Sequence, residues 1–327
     1  MIKQFKKALI FGISGQDGFY LTELLYKKNY EIHGTSRNLP TSSFVNLENT
    51  EMFKDIKIYT VDPIDKDIVL KTIKKIKPDE IYNLSGQSSV SKSFLDPQET
   101  FKSITQASLN ILEAIKTIGL SCKFYNASSS ECFGDTGNVA STEKTKFNPC
   151  SPYGVAKSSS FWLTKNYRDS YNLFTCSGIL FNHESPLRPE KFVTKKIIST
   201  AVKIYCKESI NLTLGDLSIK RDWGWAPDYV KAMWLILQSE EPDDFVISTG
   251  QLSSLEFFLE NVFLYLNLNW KDHTIIDNNL FRPKELKSSF GNSKKAKSIL
   301  KWEAQNKIKE VIGNMVDFEL KRYENNS

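Results

Sequence analysis

Five cysteines in 327 residues are few, odd in number and without C-x-x-C spacing, so neither a disulfide framework nor a zinc site is expected. Cys122, Cys132, Cys150, Cys176 and Cys206 read as buried thiols. Histidine is scarcer still. His33, His183 and His273 lie far apart with no H-E-x-x-H pattern, so no metal centre is expected. No apolar run approaches the roughly 18 to 20 residues a membrane span needs, and stretches such as 232–237 fall far short. Residues 1–7 (MIKQFKK) run directly into a strand-like ALIF, which leaves no room for a signal peptide and places the chain in the cytoplasm. Internal repeats, low-complexity tracts and Gly/Ser linkers are also missing. Forty-three basic against thirty-eight acidic residues give only +5, too mild to demand a nucleic acid or a membrane as partner. An anionic small substrate would suffice.

Arginine is the informative scarcity. Only Arg37, Arg168, Arg188, Arg221, Arg282 and Arg322 occur, in a chain that uses lysine freely. A sparse arginine marks places that need a rigid bidentate donor for carboxylate or phosphate, ordinary surface solvation being the competing reading. Lysine clusters such as Lys71, Lys74, Lys75 and Lys77, or Lys294, Lys295 and Lys297, read as solvated helix faces.

What is present is an enzyme-sized globular composition: 40% apolar, 12% aromatic and 25% charged residues. The length favours one large domain or two intimate ones. Apolar patterning predicts strands at 7–12, 30–36, 56–62, 79–84, 121–128 and 173–181, and helices at 16–28, 65–77, 97–118 and 152–171. This alternation predicts an α/β fold, a Rossmann-type doubly wound parallel sheet covered on both faces. After 181 the rhythm loosens into helices near 192–206, 227–238, 254–266 and 306–322 with short strands near 211 and 245. The expected division is a dinucleotide-binding Rossmann domain over 1–181 and a smaller mixed α/β substrate domain over 182–327, with some later segments returning to the first. The cleft between them is the expected site.

Directly after the first strand comes Gly12-Ile13-Ser14-Gly15-Gln16-Asp17-Gly18, then a helix. Glycines at these positions permit a tight turn, close approach of backbone N–H groups to a pyrophosphate, and close helix–strand packing. About 20 residues on, where an NAD site usually carries an acidic residue for the ribose 2′-OH, this chain has Thr35-Ser36-Arg37-Asn38. A guanidinium pairs with a 2′-phosphate that a carboxylate would repel, so NADP is the expected cofactor. Asp62, followed by Pro63 at the end of the third strand, could accept from the adenine amino group or simply cap the strand.

Of thirteen tyrosines only Tyr153 has lysine four residues on, at Lys157. On a helix these share a face, so the ammonium lies near the phenol, directly or through the cofactor ribose. Its charge is expected to lower the phenol pKa from about 10 and make Tyr153 a general base. Upstream, at a predicted strand end, Ser128-Ser129-Ser130-Glu131 sets hydroxyls beside a carboxylate, where Rossmann-type sheets place chemistry.

Taken together, the glycine loop running on as Gln16-Asp17-Gly18-Phe19-Tyr20-Leu21, Ser128 to Glu131, Ser151-Pro152-Tyr153-Gly154-Val155-Ala156-Lys157, Phe181-Asn182-His183-Glu184-Ser185-Pro186, Lys220-Arg221-Asp222-Trp223-Gly224 and Arg282-Pro283-Lys284-Glu285 resemble the GDP-mannose 4,6-dehydratase family of extended short-chain dehydrogenase/reductases. The resemblance runs over nearly the whole chain. It implies conversion of GDP-mannose to GDP-4-keto-6-deoxymannose by NADP-mediated internal hydride transfer from C4 to C6 with loss of water.

In that reading Tyr153 takes the O4 proton, Lys157 holds phenolate and cofactor ribose, Ser129 binds O4 where the family usually has threonine, and Glu131 is the C5 base. By position, His183 and Arg188 resemble further cofactor contacts, as do Leu84, Ser85, Gly86, Gln87 and Ser88. Asn182, Val193, Lys196, Arg221, Arg282 and Glu285 resemble GDP-sugar contacts, with arginines on the diphosphate and Glu285 on ribose hydroxyls. A homo-oligomer, dimer or tetramer, is implied. Another substrate such as a GDP-heptose stays open, as does a 4-ketoreductase or 4-epimerase, which needs no C5 base. A non-catalytic NADP sensor would keep the glycine loop but typically lose the tyrosine–lysine pair.

Overall fold

The structure, a computed structural model, describes residues 5–37, 47, 50–208, 210–280 and 284–325. Its centre is a seven-stranded sheet in which every neighbouring pair is parallel. The strands are β1 (Lys7–Phe11), β2 (Glu31–Ser36), β3 (Lys57–Thr60), β4 (Glu80–Asn83), β5 (Lys123–Ser129) and β6 (Thr175–Leu180). The seventh is Phe245–Ile247. Four short strands intervene in sequence, β7 (Asn182–Glu184), β8 (Leu212–Leu214), β9 (Lys220–Arg221) and β10 (Trp223–Trp225), so the seventh is β11. Spatial order is β3-β2-β1-β4-β5-β6-β11, reversing between β1 and β4. Such a reversal opens a crevice at the carboxyl ends of the strands, where ligands of doubly wound sheets bind.

The helices follow from local signals. α1 (Gln16–Lys27) buries Gly18, Leu21, Thr22 and Leu25, one stripe at helical spacing. α2 (Lys66–Ile76) starts where the Asp65 carboxylate accepts from the Asp67 and Ile68 N–H groups, and buries Val69, Thr72, Ile73 and Ile76. Lys71, Lys74, Lys75 and Lys77 are exposed. Lys295 departs from the solvated pattern: it donates to the Asp244 carbonyl at 2.9 Å and pairs with Asp243. The segment predicted as one helix over 97–118 comprises α4 (Pro97–Phe101), a π-helical turn over 102–106 and α5 (Ala107–Ile118), preceded by an unforeseen α3 (Val90–Leu95). α6 (Pro152–Tyr171) begins with Ser151 accepting from Gly154 N–H, with Pro152 in the first turn, and ends at left-handed Asn172.

Helices α2, α5 and α6 cover one face of the sheet around Val69, Ile73, Ile111, Leu112 and Tyr167. The other face is covered by α1 and by α8 (Ala226–Gln238), whose Tyr229, Met233 and Ile236 share a core with Leu21 and Leu25. A separate core forms among α7 (Val193–Tyr205), α9 (Leu255–Tyr265) and α10 (Ile308–Glu324), with Leu212, Leu214 and Trp223. Segments after 181 therefore alternate between two cores: α7 in the second, α8 and β11 in the first, α9 and α10 in the second again.

Candidate active site

The main cavity, about 570 Å³, opens over the carboxyl ends of β1, β4, β5 and β6 and runs beneath α7. It brings together Gly12, Gly15, Gln16, Asp17 and Gly18; Leu84, Ser85, Gly86, Gln87 and Ser88; Ser129, Glu131, Tyr153 and Lys157; and Asn182, His183, Arg188, Val193, Lys196, Arg221 and Glu285. A second cavity of about 290 Å³ adjoins it and is lined by Ser14, Arg37, Asp62 and Pro63, sharing Gly12, Gly15 and residues 84–86 with the first. Arg282 lies outside the described residues, as do Asn38 and Pro283.

The loop fits a dinucleotide. Gly12 has φ +87°, and a Cβ there would lie 3.0 Å from backbone atoms of Leu84 and Ser85. A Cβ on Gly18 would lie 2.4 Å from the Gly12 carbonyl oxygen, which is the close helix–strand approach the third glycine allows. No side chain caps α1, so its first-turn N–H groups face the crevice at the positive end of the helix dipole. The Ile13 side chain is buried against Gly34 in the core and lines neither cavity, so its expected cofactor contact falls to its backbone. Asp62 accepts from Ile64 N–H at 3.0 Å through one oxygen, the strand-capping reading, while still lining the second cavity. Arg37, half exposed, pairs with Glu99 at 3.1 Å.

Two expected cofactor contacts are bonded to each other. His183 Nε2 lies 2.9 Å from an Asp17 carboxylate oxygen, and its Nδ1 is 2.8 Å from the Phe181 carbonyl, with the ring stacked on Tyr229. Gln16 donates to the His183 carbonyl and accepts from the Ser185 hydroxyl. Burial pulls the imidazole pKa down, but Asp17's charge and hydrogen bond outweigh it, and the net direction is up. Burial likewise raises Asp17, and the His183 charge, the hydrogen bonds from His183 and Gln16 and the Arg188 charge together more than reverse it. The first turn of α1 is thereby tied to β7.

Tyr153 and Lys157 occupy the first two turns of α6, both buried. Ser129 ends β5 on the same cavity wall as the phenol, and its oxygen accepts from the Glu131 N–H at 3.3 Å. Glu131 follows in a short 3-10 turn, Ser130–Cys132, on the cavity wall. The expected lowering of the phenol pKa is not what the protein groups produce. Burial pushes Tyr153 above its usual value, with the Ser129 hydroxyl opposing, the Glu131 charge reinforcing and the Arg188 charge opposing. Lys157 donates to the Ala127 carbonyl at 2.7 Å, its Nζ 5.9 Å from the Tyr153 ring centroid, and burial pushes its own pKa down to about 8.

On the substrate side the cations already have carbonyl or carboxylate partners. Lys196 donates to the Thr213 carbonyl, and Arg221 to Glu285 at 2.8 Å and to the Leu286 carbonyl at 2.7 Å. Arg221 and Glu285, assigned separately to diphosphate and ribose, thus form one ion pair at the cavity wall. Sequence reasoning missed Glu184, Lys191, Phe192, Thr194 and Asp216, all on this wall. Glu184 was within reach, because it sits inside the Phe181 to Pro186 motif and is an acidic residue four positions before a sparse arginine.

Comparison with known proteins accords with this geometry. A sequence model of the family described as GDP-mannose 4,6 dehydratase matches residues 9–315. GDP-mannose 4,6 dehydratase 2 of Arabidopsis thaliana is 44% identical, covering 96% of this chain and 87% of its own. The human GDP-mannose 4,6 dehydratase is 42% identical, covering 96% and 92%. Among solved structures, the dTDP-glucose 4,6-dehydratase DesIV from Streptomyces venezuelae, with NAD bound, superposes with a TM-score of 0.86 at 16% identity over 97% of this chain and 98% of that one. Glycine loop, tyrosine–lysine pair and strand-end glutamate thus stand on one cavity in a chain whose sequence matches one family from end to end, and the chain belongs to the GDP-mannose 4,6-dehydratase family.

Proposed function

We propose that this chain is a hydro-lyase that converts GDP-mannose to GDP-4-keto-6-deoxymannose, with the sheet side of the cleft holding the dinucleotide and residues from 182 onward supplying most of the sugar-nucleotide contacts. The observation that carries it is Glu131 on the same wall as Ser129 and Tyr153. A ketoreductase or epimerase needs only the tyrosine–lysine pair, whereas water loss also needs a base at C5.

The glycine loop, residues 84–88 and Lys157 would hold the nicotinamide dinucleotide, which when bound would supply the reversible hydride store for a redox-neutral transfer from C4 to C6. The chain's own groups move the protons. Tyr153 takes the O4 proton, and Ser129 donates to the oxygen that becomes the ketone. Glu131 then removes the C5 proton, made acidic by the adjacent ketone, and delivers a proton to the departing C6 hydroxyl so that it leaves as water; once C6 has been reduced, the proton taken from O4 by Tyr153 closes the balance by returning to C5. Val193, Lys196, Arg221 and Glu285 hold the nucleotide end, with Arg282 assigned to the diphosphate by its motif position. Incubation with GDP-mannose and a panel of other nucleotide sugars, without added reductant, tests the reading. One water should be lost from GDP-mannose. Reaction of a GDP-heptose alone would redirect the sugar, and no water loss from any substrate would overturn the activity.

NADP is the assigned cofactor, since Arg37 sits on the rim of the second cavity where an acidic residue would favour NAD. Arg37→Ala should weaken NADP binding by about 1.5–3 kcal/mol, the range for charge-assisted hydrogen bonds. Its exposure and the Glu99 ion pair favour the lower end. Calorimetry with both dinucleotides checks this: NAD affinity should hardly move, and an equal loss for the two would remove Arg37 from the 2′-phosphate.

The assembly is assigned as a homo-oligomer through α6. Val155 and Trp162 lie one heptad apart on its outer face, 39% and 54% exposed, beside exposed Leu95 and Phe101 on α3 and α4. Trp162→Glu should shift sedimentation toward the monomer, and an unchanged mass would move the interface elsewhere.

A further inference from the structure

Strand β7 carries two oppositely directed ion pairs in adjacent residues. His183 reaches Asp17 on α1, and Glu184 reaches Arg188. Glu184 is buried, 1% exposed, and Arg188 Nε lies 3.2 Å from its Oε2. The same oxygen accepts from the Thr194 hydroxyl at 2.7 Å. Thr194 is in the first turn of α7, whose N-cap, Phe192, offers no side-chain acceptor. The Glu184 carboxylate is therefore a negative charge held at the positive end of that helix, in place of a cap. The Arg188 guanidinium is drawn to Glu184 by charge, its Nε making no hydrogen bond, and lies 3.7 Å from the Phe192 ring centroid, so the carboxylate sets its position and the aromatic face its plane.

These contacts have a direction. Arg188 is the sequence-assigned cofactor contact, while Val193 and Lys196 on α7 are sequence-assigned sugar-nucleotide contacts, and Glu184 touches the frame of both. Its own backbone is fixed independently by parallel pairing of β7 with β10, Glu184 opposite Trp225. We infer that Glu184 is a positioning residue that sets the Arg188 guanidinium and the first turn of α7 in one register, so that the two ligands of the cleft are presented to each other. Burying an unpaired carboxylate costs stability, which its contacts with Arg188 and Thr194 offset. The Arg188 charge also opposes the burial effect on Tyr153, which links the same pair to the catalytic phenol.

This inference rests on the dehydratase reading for its turnover assay but not for its binding assay. Glu184→Gln keeps an acceptor for Thr194 and removes the charge that orients Arg188. Its kcat/KM on GDP-mannose should fall by about a hundredfold, the scale of an ångström-sized misplacement. The decisive measurement is a cycle of Glu184→Gln, Arg188→Gln and the double variant, read both as kcat/KM and as NADP Kd by calorimetry. If Glu184 acts through Arg188, the double variant loses no more than Arg188→Gln alone. Multiplying losses, or wild-type kinetics and affinity in Glu184→Gln, would overturn the assignment.

Should Glu184→Gln fail to fold, Arg188→Lys keeps the charge but not the planar guanidinium, and must lose NADP affinity. Wild-type affinity in that variant would also overturn it. Absence of GDP-mannose turnover in the parent protein would instead count against the dehydratase reading, with the NADP cycle still legible.

Discussion

Glu131→Gln is expected to abolish loss of water while leaving oxidation at C4 possible, because the two steps draw on different bases. In the proposed cycle Tyr153 acts on an alcohol proton, and Glu131 acts on a carbon acid that exists as such only once C4 is a ketone. Glutamine has the size of glutamate, and the backbone N–H of residue 131 would still donate to Ser129, so the strand-end turn should persist. What it cannot do is accept the C5 proton. General-base catalysis of about 10²–10⁴-fold should vanish from the second step. With substrate in excess, a small rise in NADPH absorbance without dehydrated product is the signature. Because the ketone can be the minor species, loss of solvent-deuterium exchange at C5 is the stricter measurement. Exchange and product formation at near-parental rate would take the base role from Glu131 and return the ketoreductase or epimerase reading.

Tyr153→Phe should stop both steps, since nothing follows until O4 has lost its proton. The ring is buried with Ile104 and Ala156, and phenylalanine retains that packing, so the effect should be chemical rather than structural. The hydroxyl removed is the one that shares the cavity wall with Ser129 and Glu131, where O4 has to meet a base. Neither NADPH absorbance nor product should appear, and kcat should fall by at least about 10²–10⁴-fold. NADP affinity should be nearly unchanged. The contrast between the variants is the informative quantity: Glu131→Gln separates redox chemistry from elimination, and Tyr153→Phe cannot. Residual NADPH formation in Tyr153→Phe would hand the O4 proton to another group, with Ser129 the nearest candidate.

Much of this was legible in the chain because its signals are local. The bounds of α6 follow from Ser151, Pro152 and Asn172 within a turn of each end, and the first six sheet strands follow from short apolar runs between helical patterns. The short strand Asn182–Glu184 was not legible. It exists through pairing with Trp223–Trp225, some forty residues distant, and three residues carry too little periodicity to announce a partner. The Tyr153 and Lys157 spacing gave the shared helix face correctly. It could not give the direction of the phenol's pKa, which depends on burial and on Lys157 being engaged by the Ala127 carbonyl, both set by tertiary packing. The glycine loop was read correctly as backbone geometry, but spacing does not say that Ile13 turns inward onto Gly34.

The position of β11 has a consequence for how the chain comes off the ribosome. When β6 has emerged, its outer edge is an unpaired row of N–H and C=O groups, and the face of α1 that will receive α8 is still bare. Both are satisfied only after a long excursion through α7 and strands β8 to β10, when residues 226–247 come back to the sheet. The first-made part of the sheet therefore keeps an open edge and a bare helix face throughout synthesis of residues 181–225. The sheet closes only when most of the chain has been made, so its first-made part is completed together with the later segments rather than before them.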